Sequence, residues 1–345
     1  MDLLLIFVPL LIILNFIGAD STTLFACSLL GIFPLAAKMG EATEELTNIY
    51  GGQIGSLLNA TFGNMAELII ALLAINRGLI DLVKASLSGA IIGNLLFVFG
   101  LSVLIGGLKF KEQKFSTNLA GMNSTMLLIA FMSIMIPSLF HFVPLEHRGN
   151  DEQILSLSVS VLIIGLYLLS MIFSLKTHSY LFRTTKEHNE KAKWSRNYAI
   201  GILGASTIAL LIVSEIFVAQ IEHVAQTFGL TELFIGAIIV AVVGNAAEHL
   251  AAIFFALKNK LDMSVNVTIG SSLQIAMFVA PVVVIAGALM GKPMDLVFTP
   301  FEVIAVFASV LIVNEISTDG KANWFEGAQL IIMYLIIAVL FFFVR

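Results

Sequence analysis

Long apolar segments follow one another along most of the chain, and polar residues are largely confined to the short stretches between them. A helix needs about 20 apolar residues to cross the hydrocarbon core of a bilayer. Segments bounded by charges, glycines or polar clusters predict eleven spanning helices, at about residues 3–19, 22–50, 54–76, 79–108, 118–140, 153–175, 198–228, 231–257, 263–290, 298–313 and 324–344. We therefore expect an all-α membrane protein with about 11 transmembrane helices.

Basic residues are distributed unevenly between the predicted loops. The stretch 176–197, between the sixth and seventh spans, has an excess of lysine and arginine, which the positive-inside rule places in the cytoplasm. With six spans before it and five after it, the N-terminus is cytoplasmic and the C-terminus external. The other loops follow the same rule. In total, twelve basic residues fall in cytoplasmic loops and four in external segments, and this count omits Lys38 and Lys84, which lie within spans or at their ends.

The sequence matches itself clearly at one register, an offset of 181 residues. Gly63-Asn64-Met65-Ala66-Glu67 in the third predicted span then overlays Gly244-Asn245-Ala246-Ala247-Glu248 in the eighth. Five spans separate the two copies, and because five is odd, the copies cross the membrane in opposite directions. We therefore expect a leading helix at 1–20 and two inverted-topology repeats of five helices at 21–175 and 198–345, joined by a basic linker at 176–197.

Glu67 and Glu248 each fall near the middle of their predicted helix, and therefore near the bilayer midplane. An ionised carboxylate there costs about 2.5 to 3.5 kcal/mol on insertion scales, so such residues face the bundle interior and mark an ion pathway by default. The alternative is that each glutamate is paired with a buried cation or kept protonated for packing. Lys38 and Lys84, the embedded basic residues, do not repeat with the motif, which favours the ion pathway.

The residues around the two glutamates suit a hard cation. Gly63 and Gly244 can break a helix and free backbone carbonyls, which a membrane tolerates where they line a cavity. Ca²⁺ takes about six to eight oxygen ligands from carboxylates, amides, carbonyls and water. The candidate metal ligands are Glu67, Glu248, Asn64 and Asn245 in the motifs, and Asn94, Ser271, Ser272 and Gln274 in the following spans. For the last four, hydrogen bonding between closely packed helices is an equally good explanation.

Further acids lie towards the ends of two spans. Glu41, Glu44 and Glu45 lie near the cytoplasmic end of the second span, and the offset pairs Glu41 with Glu222 in the seventh. These acids are candidates for concentrating cations at two entrances. Solvation of interfacial acids explains them equally well. His249 directly follows the second motif glutamate and is a candidate for relaying its proton, although consecutive helical residues point about 100° apart.

Composition excludes several other classes. Hydrophobic residues make up 59% of the chain and charged residues 12%, with a mean hydropathy of +1.00, which indicates an integral membrane protein. The net charge of -5 and the single Cys27 suggest neither nucleic-acid binding nor a disulfide framework. The sequence contains no H-E-x-x-H, G-x-S-x-G or Walker-type motif, and no loop is long enough to bind ATP. We therefore expect neither an enzyme nor a nucleotide-driven pump, and no cofactor.

The motifs and their flanks resemble the two signature repeats of the Ca²⁺/H⁺ exchangers in the cation/Ca²⁺ exchanger superfamily. The resemblance rests on Leu58-Asn59-Ala60-Thr61-Phe62-Gly63-Asn64-Met65-Ala66-Glu67-Leu68, on Gly244-Asn245-Ala246-Ala247-Glu248-His249 and on the stretch 270–281, and it extends in order over essentially the whole chain. It implies that Glu67 and Glu248 form the shared site for Ca²⁺ and protons, and that the proton gradient drives export. One departure is the basic linker, where many members carry a long acidic segment.

These observations predict a secondary active transporter that exchanges cytosolic Ca²⁺ for H⁺ by alternating access. The expected partners are Ca²⁺ as transported substrate, H⁺ and the lipid bilayer. Na⁺/Ca²⁺ exchange and a passive cation channel stay open as alternatives, and so does assembly into a homo-oligomer. The compact chain favours the cell membrane over the membrane of an acidic organelle.

Overall fold

The computed structural model describes residues 2–51, 58, 61–144, 148–178 and 192–344, and for 118–120, 148–149 and 247 it describes the backbone alone. In chain order the helices are α1 (Asp2–Phe16), α2 (Ser21–Tyr50), α3 (Met65–Asn76), α4 (Ile80–Phe110), α5 (Thr117–Phe140), α6 (Arg148–Ile172), α7 (Arg196–Phe228), α8 (Glu232–Gly244), α9 (Ala246–Leu257), α10 (Leu261–Leu289), α11 (Pro300–Ile316) and α12 (Trp324–Phe343). A π-helical segment at the end of α6 (Phe173–Thr177) and two short strands, β1 (Glu112–Lys114) and β2 (Lys321–Asn323), complete the described elements.

The predicted spans correspond to these helices. Each of the eleven predicted intervals contains a described helix, and the interval 231–257 contains two, because α8 and α9 meet at a bend of 62°. Seven helices in the described part of the chain are long and apolar enough to cross a membrane, or eight if α8 and α9 form one span. The protein is therefore a helical, multi-span membrane protein, and the count of eleven spans stays a prediction. Parts of the third predicted span and of the linker lie outside the described residues.

Side-chain caps set the start of several helices. The Asp20 carboxylate accepts hydrogen bonds from the Thr23 hydroxyl and backbone N–H, at 2.6 and 2.9 Å, and so caps α2. These bonds hold the pKa of Asp20 below its usual value. Thr299 and Glu302 form a reciprocal capping box at the start of α11, and Asn323 caps α12 in the same way.

Glycines allow helices from the two halves of the chain to approach closely. A β-carbon at Gly89 of α4 would lie 2.2 Å from the Ala237 Cα atom of α8, and one at Gly236 would lie 2.7 Å from the Leu82 carbonyl oxygen. A β-carbon at Gly327 of α12 would likewise collide with the backbone of α4 at Leu104. Small residues at such contacts are typical of membrane helix packing. They hold α4 at the centre of the bundle, between elements of the second half.

Two long helices contain π-helical segments at nearly equivalent positions. In α4 the segment is Gly93–Val98, and in α10 it is Ile275–Val279. An offset of 181 residues superposes Val98 on Val279, the residues with which both segments end. Such π segments are frequent at functional sites because they redirect side chains within a helix. The segment in α4 includes the predicted site residue Asn94, and the segment in α10 begins directly after the predicted site residue Gln274.

A small antiparallel ribbon was not predicted for this all-α chain. Strands β1 and β2 pair with Glu112 opposite Asn323, Gln113 opposite Ala322, and Lys114 opposite Lys321. The ribbon joins the segment after α4 to the segment before α12. It therefore fastens the first half of the chain to the second through backbone hydrogen bonds.

Candidate functional site

The two motif glutamates occupy equivalent places in two short helices. Glu67 lies in the first turn of α3 and Glu248 in the first turn of α9. The preceding residues, Asn64 and Asn245, leave helical geometry, with φ and ψ of -107° and 29° for Asn64 and -93° and 9° for Asn245. The N-terminal end of a helix carries a partial positive charge and unpaired N–H groups, which favour a carboxylate in the first turn. The glycine-asparagine pair thus creates a helix start at each glutamate.

The two motifs lie against each other. A β-carbon added at Gly244 would lie 2.9 Å from Oε1 of Glu67 and 3.2 Å from its Cδ atom. The Glu67 carboxylate of the first motif therefore packs against Gly244 of the second motif. This contact brings residues separated by nearly half the chain into one site.

The carboxylate oxygens are buried without hydrogen-bond partners. Both oxygens of Glu67 and Oε2 of Glu248 lack any partner among the described residues. A buried polar group left without a partner costs about 1–3 kcal/mol, and more if it is charged. A bound cation or proton would remove that cost. The geometry thus leaves both oxygens of Glu67 and one oxygen of Glu248 free to bind a ligand, while the Glu248 carboxylate also has a hydrogen bond with the Ser271 side chain.

A chain of neutral polar groups connects the two motifs. The Asn64 amide donates to Oε1 of Gln274 at 2.5 Å, and the Asn94 amide donates to the Ser271 hydroxyl at 3.1 Å. The Ser271 hydroxyl lies 3.2 Å from Oδ1 of Asn64 and 3.4 Å from Oδ1 of Asn245. Because a hydroxyl has a single proton, Ser271 donates to one of these two amides at a time. An oxygen of the other amide remains available to a cation.

His249 belongs to the same network. Its side chain is 8% exposed, and its Nε2 atom lies 3.0 Å from Oδ1 of Asn94. The turn of α9 directs this ring towards α4. His249 therefore touches a predicted ligand, Asn94, which in turn bonds Ser271.

The structure separates the remaining predicted site residues from this cluster. The Ser272 hydroxyl donates to the Thr268 carbonyl of its own helix at 2.9 Å. Glu41 is exposed and pairs with Lys38 at 2.8 Å. Glu44 is exposed, and Glu222 is exposed on the wall of a pocket of about 630 Å³ near the end of α7. The entrance role of these acids stays a prediction.

Glu45 has a structural role that its sequence position did not indicate. Its buried carboxylate accepts hydrogen bonds from the backbone N–H groups of Lys193 and Trp194, at 2.7 and 3.1 Å. These donors immediately precede α7. Glu45 thus fastens the end of the predicted linker to α2, which packs along α7.

A second feature that sequence reasoning missed is a clamp on the C-terminal end of α9. The Lys109 ammonium donates to the Leu257 carbonyl at 2.9 Å. The Gln113 amide donates to the Ala256 carbonyl at 2.9 Å and to Oδ1 of Asn259 at 3.0 Å. The last carbonyls of a helix lack intrahelical partners and carry partial negative charge. The last turn of α4 and the segment that follows it therefore support the helix that carries Glu248.

The described residues contain no group of three or more histidine, cysteine, aspartate or glutamate side chains that could hold a metal. The candidate site instead combines two carboxylates with neutral amide and hydroxyl oxygens. Fewer charged ligands generally mean weaker cation binding.

The chain is similar along nearly its whole length to a family of exchanger proteins and to several of its members. Residues 21–176 and 198–343 match the sodium/calcium exchanger protein family. The Ca(2+)/H(+) antiporter of Aphanothece halophytica is 45% identical over an alignment of 360 positions, which covers 99% of this chain and 95% of that protein. The Ca(2+)/H(+) antiporter ChaA of Bacillus subtilis is 46% identical over 341 residues, covering 97% and 96% of the two chains. The solved structure of native YfkE superposes with a TM-score of 0.88 at 42% identity and covers 99% of both chains.

The chain belongs to the sodium/calcium exchanger protein family, and its predicted resemblance to the Ca²⁺/H⁺ exchangers is confirmed.

Proposed function

We propose that this protein is a secondary transporter that exchanges cytosolic Ca²⁺ for external H⁺, with Glu67 and Glu248 as the shared binding groups. The observation that carries the proposal is the burial of both Glu67 oxygens against Gly244 of the opposite motif, with no hydrogen-bond partner among the residues that the structure describes. The names of the relatives reported above support the same pair of ions.

The chemistry of the cluster fits Ca²⁺ as substrate. Two glutamates supply up to four oxygens, and Asn64, Asn245 and Ser271 lie within the same network. Ca²⁺ accepts about six to eight oxygens in a flexible arrangement, so waters and freed carbonyls can complete the shell. Two carboxylates also balance the divalent charge.

The same oxygens supply the coupling to protons. Two neighbouring carboxylates in a medium of low dielectric constant repel each other when both are ionised, and they lose hydration. A divalent cation neutralises that repulsion, and in its absence protons do so. Ca²⁺ and H⁺ therefore occupy the site in turn, which is the requirement for exchange.

Alternating access follows from inverted repeats, and two features of the structure support such repeats. Gly106 and Gly287 correspond at the offset of 181, and each packs against the stretch of chain that follows its own helix. A β-carbon at Gly106 would lie 1.8 Å from Oε1 of Gln113, and one at Gly287 would lie 3.5 Å from the backbone nitrogen of Met294. Gln113 and Met294 also correspond at that offset, and both are buried. Equivalent local folds in the two halves favour the division into 21–175 and 198–345.

Contacts between distant segments support the proposed alternation of the spans across the membrane. Each contact joins segments that the proposed topology places on the same side. On the cytoplasmic side these are Lys109 with Leu257, Ser116 with Asp262, and β1 with β2; on the external side they are Lys84 with Asp295 and His141 with Glu152. We place the protein in the cell membrane, in line with its bacterial relatives.

Uptake of Ca²⁺ into inside-out membrane vesicles tests the function. We expect an imposed pH gradient, acidic inside, to drive uptake, and an imposed Na⁺ gradient of equal size to drive none. Uptake that follows Na⁺ and ignores pH would make the protein a Na⁺/Ca²⁺ exchanger. Ca²⁺ flux down its own gradient, with no effect of either, would make it a channel.

A further inference from the structure

Three helices meet between the glutamate cluster and the proposed cytoplasmic surface. The second half of α4, helix α9 and the first half of α10 pack against one another there. Near the glutamates, hydrogen bonds join the three helices through His249, Asn94 and Ser271. At the cytoplasmic end, the Gln113 amide bonds the last turn of α9 and the exposed Asn259. We call the region between these two ends the cytoplasmic junction.

Three buried polar groups of the cytoplasmic junction lack hydrogen-bond partners. Ser102 and Ser264 are fully buried and Gln113 is 1% exposed, yet neither hydroxyl nor the Gln113 Oε1 atom is paired among the described residues. Ser264 lies two helical turns before Ser271, and therefore on the same face of α10. Ser102 lies one turn before Gly106, the glycine against which Gln113 packs. The three groups therefore follow one path from the glutamate cluster to Gln113.

The inverted repeat supplies a comparison for each polar position of the cytoplasmic junction. The offset of 181 residues pairs every one of the following buried polar residues with a buried apolar residue: Ser102 with Val283, Ser264 with Val83, Thr268 with Leu87, and Gln113 with Met294. Valine, leucine and methionine thus fill the same positions on the proposed external side. Because unpaired buried polar groups cost free energy and are rare, packing alone does not account for them. A polar lining in one copy alone points to a role in transport.

We propose that the cytoplasmic junction is a gated route by which protons, and not Ca²⁺, pass between the glutamate cluster and the cytoplasm. A hydroxyl both donates and accepts a hydrogen bond, so it passes a proton along a file of water molecules without becoming charged. Ca²⁺ requires about six to eight oxygen ligands. Ser102, Ser264 and Gln113 offer two hydroxyls and one amide, with no carboxylate. The inference rests on the proposed function and adds the route of the second ion.

Gln113 is the gate of this route. A path that stayed open would let protons pass the site without Ca²⁺, and exchange would be uncoupled. The structure shows the path shut, because the Gln113 side chain fills the space beside Gly106 and its amide is bonded to the end of α9. When these bonds break, cytoplasmic water enters, and the hydroxyls of Ser102 and Ser264 gain partners. A proton that Ca²⁺ displaces from a glutamate then leaves through this water to the cytoplasm.

Cysteine accessibility in the purified full chain tests whether the cytoplasmic junction opens. In a background with Cys27→Ser, Ser102→Cys and Ser264→Cys are compared with Val283→Cys and Val83→Cys at the equally buried counterpart positions. The probe is 2-aminoethyl methanethiosulfonate, a small thiol reagent, in detergent that leaves both faces accessible, and mass spectrometry follows the modification. We expect the serine positions to react about tenfold faster than their counterparts, or more. Equal rates at corresponding positions would overturn the route.

Transport kinetics test whether the route carries protons. The double variant Ser102→Ala with Ser264→Ala should lower the maximal rate of pH-driven Ca²⁺ uptake about tenfold and leave the KM for Ca²⁺ unchanged. Its uptake should also slow more in deuterium oxide than wild-type uptake does, because proton passage then limits the cycle. The control is Ser214→Ala, since Ser214 of α7 is likewise buried and unpaired among the described residues but lies outside the junction.

An equal loss of rate in the control, a change confined to KM, or an unchanged effect of deuterium oxide would overturn the proton route. Failure of the proposed function would appear in the wild type itself, as uptake that ignores the pH gradient. Failure of this inference would leave wild-type exchange intact and appear only in the variants. Elution of each variant as a single folded species in size-exclusion chromatography separates loss of the route from loss of fold.

Discussion

Glu67 rests on Gly244: the carboxylate of the first motif occupies the space that a side chain at position 244 would need, with Oε1 2.9 Å from the position of a β-carbon. The glycine of one motif therefore makes room for the acid of the other. Gly244 is thus a packing requirement of the second motif, in addition to any role in ending a helix.

Gly244→Ala should weaken Ca²⁺ binding without removing a single ligand. The added methyl group needs the space that the Glu67 carboxylate occupies and so displaces that carboxylate, and overpacking of a buried site costs about 1–3 kcal/mol. We expect a rise in the apparent KM for Ca²⁺ of about tenfold or more. The control is Gly204→Ala, because Gly204 lies on an exposed face of α7 with open space around its Cα. An unchanged KM in Gly244→Ala would contradict the observed contact.

Glu67→Gln and Glu248→Gln should each abolish exchange and leave a folded, membrane-inserted protein. The amide fills a similar volume, but it neither titrates nor balances a divalent charge. Ca²⁺ uptake into vesicles under an imposed pH gradient measures the effect. Leu72→Ala, on the same helix as Glu67, should retain transport. Substantial gradient-driven uptake in either glutamine variant would eliminate the two-glutamate site.

The positions of the helices and of the two glutamates could be predicted because their signals are local. Apolar length defines a span, and an acid in the middle of a span is conspicuous in any membrane sequence. The internal offset added a spatial relationship, since it paired Glu67 with Glu248 before any contact was known. Two adjacent serines show what the sequence alone could not predict. Ser271 joins the cluster and Ser272 bonds its own helix, a difference of about 100° in direction that sequence spacing alone does not reveal.

The clamp on α9 and the ribbon could not be predicted, for a different reason. Gln113 reaches Ala256 only because Gly106 has no side chain, and the partners are 143 residues apart. Three-residue strands carry almost no alternation to detect, and Lys114 opposite Lys321 runs against the usual pairing preference. Both features depend on tertiary contacts that fix where short polar loops return to the bundle.

Gln113→Ala should loosen the helix that carries Glu248. The Gln113 side chain is 1% exposed, and its loss leaves the buried Ala256 carbonyl without that donor, at a cost of about 1–3 kcal/mol. We expect a lower unfolding temperature in detergent and a higher KM for Ca²⁺. Gln220→Ala is the control, because that side chain donates to Ile216 within its own helix. If the two variants behave alike, the clamp does not support the site.

The proposed topology has a direct consequence for the linker and the C-terminus. A reporter placed after Arg345 should be external, and one inserted near Lys186 should be cytoplasmic. An odd number of spans, five, separates the two positions under the proposed arrangement. Accessibility labelling of the two fusions in intact cells is the measurement. Finding both reporters on the same side would remove one span and, with it, the inversion of the repeats.

The central claim, that Ca²⁺ and protons compete for the carboxylates of Glu67 and Glu248, is tested most directly by calorimetric titration of the purified protein with Ca²⁺. Because the metal displaces protons from a coupled pair, affinity should weaken as pH falls, and binding should release protons to the buffer. At a pH where transport is active, the observed binding enthalpy should therefore vary with the ionisation enthalpy of the buffer. A binding enthalpy that is the same in every buffer would mean that no net protons leave, and would contradict direct competition at these two glutamates.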